Sequence, residues 1–273
     1  MIDYLVFLRA DRLCAAAAIT LAGAVPMLFA ARHLDTRQLS GDGIWSKPFN
    51  FALSLSFHFA TFAVMAHWLP RTMQEGAALR IATLVSVAAG MFEFAYIAIQ
   101  AARGRHSHFN ASTRIEAAMS ALMGLGAVFV LAPAVVIGID AAIGPPPEWA
   151  SSVRTGVAAG LLGGTALTIL TGFRMGAVTS HFAGAPPAKS RKMRLTGWSL
   201  DGADLRPPHF LAAHMMQVVP IAAVCASLLL PHRAALFLAA LFSLGWAALT
   251  LKASASASSG HRLPRIFGFA AAS

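Results

Sequence analysis

Seven apolar runs, each close to the roughly 20 residues that a helix needs to cross a bilayer, constrain this chain more than any other feature. They fall at about 13–30, 48–69, 78–101, 115–139, 153–175, 209–230 and 234–251. Lipid offers no hydrogen bonds to a backbone, so runs of this length are expected to be helices. The expected fold is therefore all-α, a seven-helix transmembrane bundle over residues 1–252 with a flexible Ala/Ser-rich tail at 253–273. Only 12% of the 273 residues are charged, against about 25% in an ordinary soluble domain. That balance excludes disorder, a disulfide scaffold and a soluble enzyme. Cys14 and Cys225 both sit in apolar runs and read as small hydrophobes. A cleaved signal is the alternative for the first run. Asp3 and Asp11 cancel Arg9 and Arg12 ahead of it, whereas a signal wants a positive start.

Basic residues give an orientation. By loop parity, 15 of the 21 Lys and Arg residues fall on one side and 6 on the other. The positive-inside rule then places the N-terminus outside and the C-terminus in the cytoplasm. The net charge of +10 is explained in this way, and no aromatic-studded basic stripe points to nucleic acid. Small residues recur every fourth position at Gly156, Gly160 and Gly164 in the fifth run, and at Ser120 and Gly124 in the fourth. Such spacing lets helix backbones approach closely in lipid.

Polar residues are unevenly placed. Lys47 and Asn50 stand at the start of the second run, and Glu93 and Gln100 share one helix face in the third. Arg103, His108 and Asn110 follow, and Glu116 opens the fourth run. His181 follows the fifth, and Trp198, Asp204, Arg206 and His209 lead to His214 and Gln217 in the sixth. Parity puts all of these helix ends on one membrane face. Glu93 stands out, because an acid deep in a span is costly and marks function by default. His58, between two phenylalanines, reads more simply as a hydrogen-bonded packing residue. His209 and His214 point about 140° apart on a helix, so an undistorted helix cannot turn both toward one metal. Asp204 and Arg206 read as a local ion pair, weak if exposed.

Three blocks carry these residues: Trp45-Ser46-Lys47-Pro48-Phe49-Asn50; Glu93 through Gln100, Arg103 and Gly104 to Ser107-His108-Phe109-Asn110; and Gly197-Trp198-Ser199 through Asp204-Leu205-Arg206 to His209, His214 and Gln217. Together they resemble an uncharacterised family of bacterial multi-pass inner-membrane proteins. The resemblance implies a bacterial inner-membrane location and treats the blocks as one unit; it implies no activity. In that family a His-x-x-Gly after the fifth span runs into a Gly-rich stretch. Here His181 to Gly184 matches the start, and Pro186-Pro187 and Lys189 replace the rest.

The functional expectation is a membrane oxidoreductase that binds haem or a first-row transition metal. His108, His181, His209 and His214 would be ligands, since imidazole suits both. Glu93, Asp204 and Glu116 would move protons or orient ligands. Lys47, Arg103, Asn110, Trp198, Arg206, Gln100 and Gln217 would hold the cofactor. Membrane lipids and a quinone or other lipophilic substrate are the expected partners. The alternatives are a proton- or cation-coupled transporter or channel built on Glu93, a metal-dependent lipid hydrolase, and an accessory subunit. No phosphate-cradling loop, nucleophile elbow or His-Glu-x-x-His is present. The last run has no deep cation for a retinal-type Schiff base.

Overall fold

A computed structural model describes residues 9–39, 41–144, 149–184, 191–193, 196–199, 201 and 203–259. Pro186-Pro187, Lys189, Arg194 and the segment 260–273 lie outside the described residues. Among the described residues the fold is all-α apart from one short hairpin and two isolated bridges, and seven helices are long and apolar enough to cross a membrane. They are span one, Ala10–Leu34; span two, Ser46–Trp68; span three, Ala77–Ala102; span four, Arg114–Ile143; span five, Ser151–Val178; span six, Arg206–Leu229; and span seven, His232–Ser258. The chain divides into two compact units, Met1–Ile137 and Gly138–Ser273.

In the first unit span one packs along span two, span three packs against both, and the first part of span four packs on span three. A hairpin pairs Gln38–Leu39 with Asp42–Gly43 between spans one and two. Gly41 supplies its left-handed turn with a φ of 82°. Span four is interrupted. Its first segment ends at Val130, and helix resumes at Ala132 and runs to Ile143. Pro133 fits this break, because it has no N–H to donate. Beyond it, the Ala134 N–H turns to the Leu131 carbonyl and leaves the Val130 carbonyl without a helical partner. Two other spans supply one: Ser86 Oγ donates at 2.7 Å and His58 Nε2 at 3.2 Å. His58 is thus the buried packing residue that its neighbours suggested. An unmet carbonyl in lipid costs several kcal/mol, about 4–8 on a hydrocarbon scale, so this repair holds span four to spans two and three.

In the second unit span six packs on both span five and span seven. The glycine stripe of span five lies against span six. A Cβ on Gly156 would collide with Ala223; one on Gly160 would stand 2.6 Å from Pro220 Cδ; one on Gly164 would stand 2.7 Å from Met216 Cγ. Span five widens into a π-helical turn at Ala159–Gly163. That turn lies opposite Pro220 inside span six, so two backbone irregularities face each other. Hydrogen bonds complete the unit. Trp246 Nε1 donates to the Leu211 carbonyl at 2.9 Å, and Arg174 donates to Ser254 Oγ at 2.8 Å.

Three expectations change. The Ser120/Gly124 spacing is not a packing stripe: Gly124 faces open space, and Ser120 Oγ accepts the Phe109 N–H at 2.8 Å. The tail begins later than residue 253, because span seven continues to Ser258 with Ala253, Ser254 and Ala257 buried. Alanine favours helix, and Ala257 packs with Leu205 and Met175. Span six starts at Arg206, because Pro207 and Pro208 occupy its first turn, where no N–H is needed.

These contacts set an expected contrast. Gly160→Val should destabilise the protein by about 1–3 kcal/mol through overpacking, whereas Gly124→Val should change little. Thermal unfolding in detergent, followed by size-exclusion fluorescence, checks both. Equal melting midpoints would overturn the assignment of the stripe.

Candidate functional site

Each unit carries its own polar cluster. In the first, span three supplies a column. Glu93 is buried at 1% exposure, nine residues before the helix end at Ala102, or about 14 Å at 1.5 Å per residue. Its Oε1 has no hydrogen-bond partner among the described residues. The carboxyl occupies the space left by Gly126 of span four, where a Cβ would stand 2.6 Å from Oε1. Lys47, at the start of span two, is the charged group that acts on it electrostatically. Gly126 lies outside the fourfold spacing read from the sequence, and its role depends on a contact 33 residues away, between Glu93 and Gly126.

Below Glu93 the polar groups are linked. Gln100 Nε2 donates to Tyr96 Oη at 3.1 Å and to the His106 carbonyl at 3.3 Å. Arg103 donates to Gln100 Oε1 at 3.2 Å. Gln100 also approaches Glu116. Tyr96 was not among the residues picked from the sequence. Its signal was present: Tyr96 lies three residues after Glu93 and four before Gln100, on their helix face.

Glu116 has a structural duty. Its N–H is capped by Thr113 Oγ1 at 3.2 Å, and the carboxylate at the helix start suits the macrodipole. Arg105 donates to Glu116 at 3.1 Å, and the Ser112 hydroxyl donates to its other oxygen. Asn110 Nδ2 donates to the His106 carbonyl at 3.1 Å, and His108 Nδ1 lies 3.2 Å from Ser107 Oγ. This loop is therefore fastened largely by its own polar groups. The first block is fixed in a similar way, by residues ahead of it. Trp45 Nε1 donates to Asp35 at 2.8 Å, Arg37 pairs with Asp35 at 2.7 Å, and Arg37 reaches the Ala102 carbonyl at 3.1 Å. The Arg37 guanidinium, with the Trp45 N–H, holds the Asp35 carboxyl well below the usual carboxylate range.

In the second unit the third block folds back on the segment after span five. The Leu205 N–H donates to the His181 carbonyl at 2.9 Å, and the Ala183 N–H to Ala203 at 2.8 Å. Asp204, fully buried, takes four bonds: from the Ser199 and Arg206 N–H groups at 2.9 and 3.0 Å, and from the Arg206 guanidinium at 2.9 and 2.8 Å. Arg206 also lies over the Phe182 ring. Asp204 is thus buried and fully engaged, Arg206 is half-buried, and the pair acts as the clamp of the block. His209 Nδ1 meets Thr171 Oγ1 of span five at 2.9 Å. The Thr171 hydroxyl also reaches the Leu167 carbonyl at 2.8 Å, so the imidazole and this carbonyl share one hydroxyl. His214 packs on the Phe210 ring at 4.1 Å between centroids, and Trp198 meets the same ring edge-on at 5.6 Å. Gln217 stands beside His214, and its Oε1 lacks a well-formed hydrogen bond.

The proposed metal ligands His181, His209 and His214 belong to the second unit, and His108 to the first. Among the described residues no group of three or more His, Cys, Asp or Glu side chains stands ready to hold a metal ion. No protein-family model, curated protein or solved structure matches the chain.

The Asp204 clamp yields a direct expectation. Asp204→Asn takes the anion from a half-buried guanidinium, a loss of about 1.5–3 kcal/mol, the range for hydrogen bonds to a charged group. Thermal unfolding in detergent should show a clear fall in the midpoint. An unchanged midpoint would return Asp204 to the list of chemical rather than structural residues.

Proposed function

We propose that this chain is a membrane protein of the proton- or cation-coupled transporter or channel class, with the Glu93 carboxyl as the ion-binding group. The observation that carries the reading is an acid buried to 1% exposure inside a span, with one oxygen unpartnered and seated against a glycine. Lipid makes such a group expensive, and it is retained where an ion or proton has to be held. The linked groups Tyr96, Gln100, Arg103 and Glu116 run from near Glu93 to the helix end. They supply hydroxyl, amide and charged groups along a route for a proton. Lys47 supplies a nearby compensating charge. Asn110, Asp204 and Arg206 hold loops in place.

The cation count by loop and the sequence resemblance support a bacterial inner-membrane location with the N-terminus outside and the C-terminus cytoplasmic. Reporter fusions at the two termini test that orientation. A haem- or metal-dependent oxidoreductase, with a quinone or other lipophilic substrate, is the second reading. It is favoured by the ring packing of Trp198 and His214 on Phe210. An absorption spectrum and metal analysis of one purified sample decide it: a Soret band or stoichiometric metal would raise it above the transport reading.

Glu93 has a direct chemical test. A membrane-buried carboxylic acid should react with a hydrophobic carbodiimide, and Glu93→Gln should abolish that labelling. In proteoliposomes Glu93→Gln should remove pH-gradient-driven flux, and Tyr96→Phe should slow it about 100-fold or more, the lower range of one proton-transfer group's contribution. Wild-type flux in Glu93→Gln would end this reading.

A further inference from the structure

The second unit carries a groove remote in sequence from all three blocks. It has a volume of about 470 Å³ and lies between the end of span four and the start of span five. Its walls are Ala141, Ser151, Arg154, Thr155, Ala158 and Ala159, with Ala142 beside them. On span five these positions recur at i, i+3, i+4, i+7 and i+8, one helix face. The polar side chains come first, and the alanines follow Arg154 by four and five residues, about 6–8 Å deeper along the helix. Arg154 Nε reaches the Ala141 carbonyl at 3.4 Å, which aims the guanidinium across the groove. Ala150, at the N-cap, gives no side-chain hydrogen bond, so the first N–H groups of span five are uncapped by their own residue. An anion here would find a guanidinium, two hydroxyls and the positive end of a helix.

Loop parity gives a second argument. Arg154 is one of only 6 of the 21 Lys and Arg residues on its side of the membrane. The positive-inside rule does not call for a cation there.

We propose that this groove binds an anionic phospholipid, with its phosphate at Arg154, Ser151 and Thr155 and the upper part of an acyl chain over Ala158 and Ala159. The alanine floor favours a lipid over free phosphate. An inorganic anion gains nothing from an apolar wall, whereas small side chains leave width for a chain. The polar-to-apolar order along span five matches the order of headgroup and chain in one molecule. The groove belongs to the second unit and Glu93 to the first, and the fate of this proposal does not depend on the transport reading.

The full-length protein, purified in detergent, is titrated with dioleoylphosphatidylglycerol, with dioleoylphosphatidylcholine and with inorganic phosphate. Lipid retention is read by native mass spectrometry. Saturable retention of phosphatidylglycerol is expected, with weaker retention of phosphatidylcholine and no competition from millimolar phosphate. Arg154→Gln should weaken phosphatidylglycerol binding about tenfold, as loss of a charge-assisted contact does. The double variant Ser151→Ala/Thr155→Val should weaken it less. Equal retention of the two lipids, unaltered binding by Arg154→Gln, or full competition by phosphate would each overturn the proposal. If Arg154→Gln does not fold, the double variant decides, and wild-type retention in it counts against the site.

Discussion

Within a bilayer every backbone carbonyl that a helix cannot satisfy has to find its donor in the protein, and the Val130 carbonyl shows how far that demand reaches. Pro133 interrupts span four, the Ala134 N–H moves to Leu131, and Val130 is left exposed as an acceptor. Ser86 from span three and His58 from span two converge on it. A local backbone defect therefore organises three helices. The same rule explains why the interior is rich in small and hydroxyl-bearing residues. Thr171 Oγ1 bonds to Leu167, Thr250 to Trp246 and Ser243 to Ala239, each hydroxyl using a carbonyl of its own helix. Trp246 uses its indole N–H on Leu211 of a neighbouring span.

Where most buried donors and acceptors are answered, the exceptions carry information. Glu93 Oε1 is one of a short set of buried unpartnered atoms among the described residues, beside hydroxyls of Thr83, Ser152 and Thr168 and the Gln217 amide. Hydroxyls and amides left this way cost about 1–3 kcal/mol. A carboxylate costs far more in lipid, so its presence needs a reason that packing does not give. Gly126 sharpens the point. Any side chain there would occupy the space that the acid uses, so two spans are shaped around one carboxyl.

The seven spans were legible because length and apolarity decide them locally. The span five stripe was legible too, since a four-residue glycine period has one geometric meaning in lipid. Legibility fails where a residue's duty depends on a partner far along the chain. Gly126 and Gly124 look alike in sequence, yet only Gly126 meets another helix. Asp204 and Arg206 read as a local ion pair, weak if exposed, and the pairing of residues 181–183 with 203–205 buries the Asp204 carboxylate. Glu116 looked chemical, but the Thr113 cap and Arg105 make it an anchor for the preceding loop. His209 stood out in the sequence, and its hydrogen-bond partner Thr171, 38 residues earlier, did not. In each case a short polar motif was visible and its partner was not.

The number of oxygens around Glu93 narrows what the proposed ion is. A hard metal cation asks for about six to eight oxygen ligands. The nearest polar groups along the column are already paired: Tyr96 Oη accepts from Gln100, and Gln100 Oε1 accepts from Arg103. Lys47, the charge acting on the acid, would repel a cation. A proton asks for a single acceptor and no coordination shell. One unpartnered oxygen in a close-packed seat suits a proton far better than a dehydrated metal ion. Within the transport reading, proton coupling is accordingly the form that this interior favours.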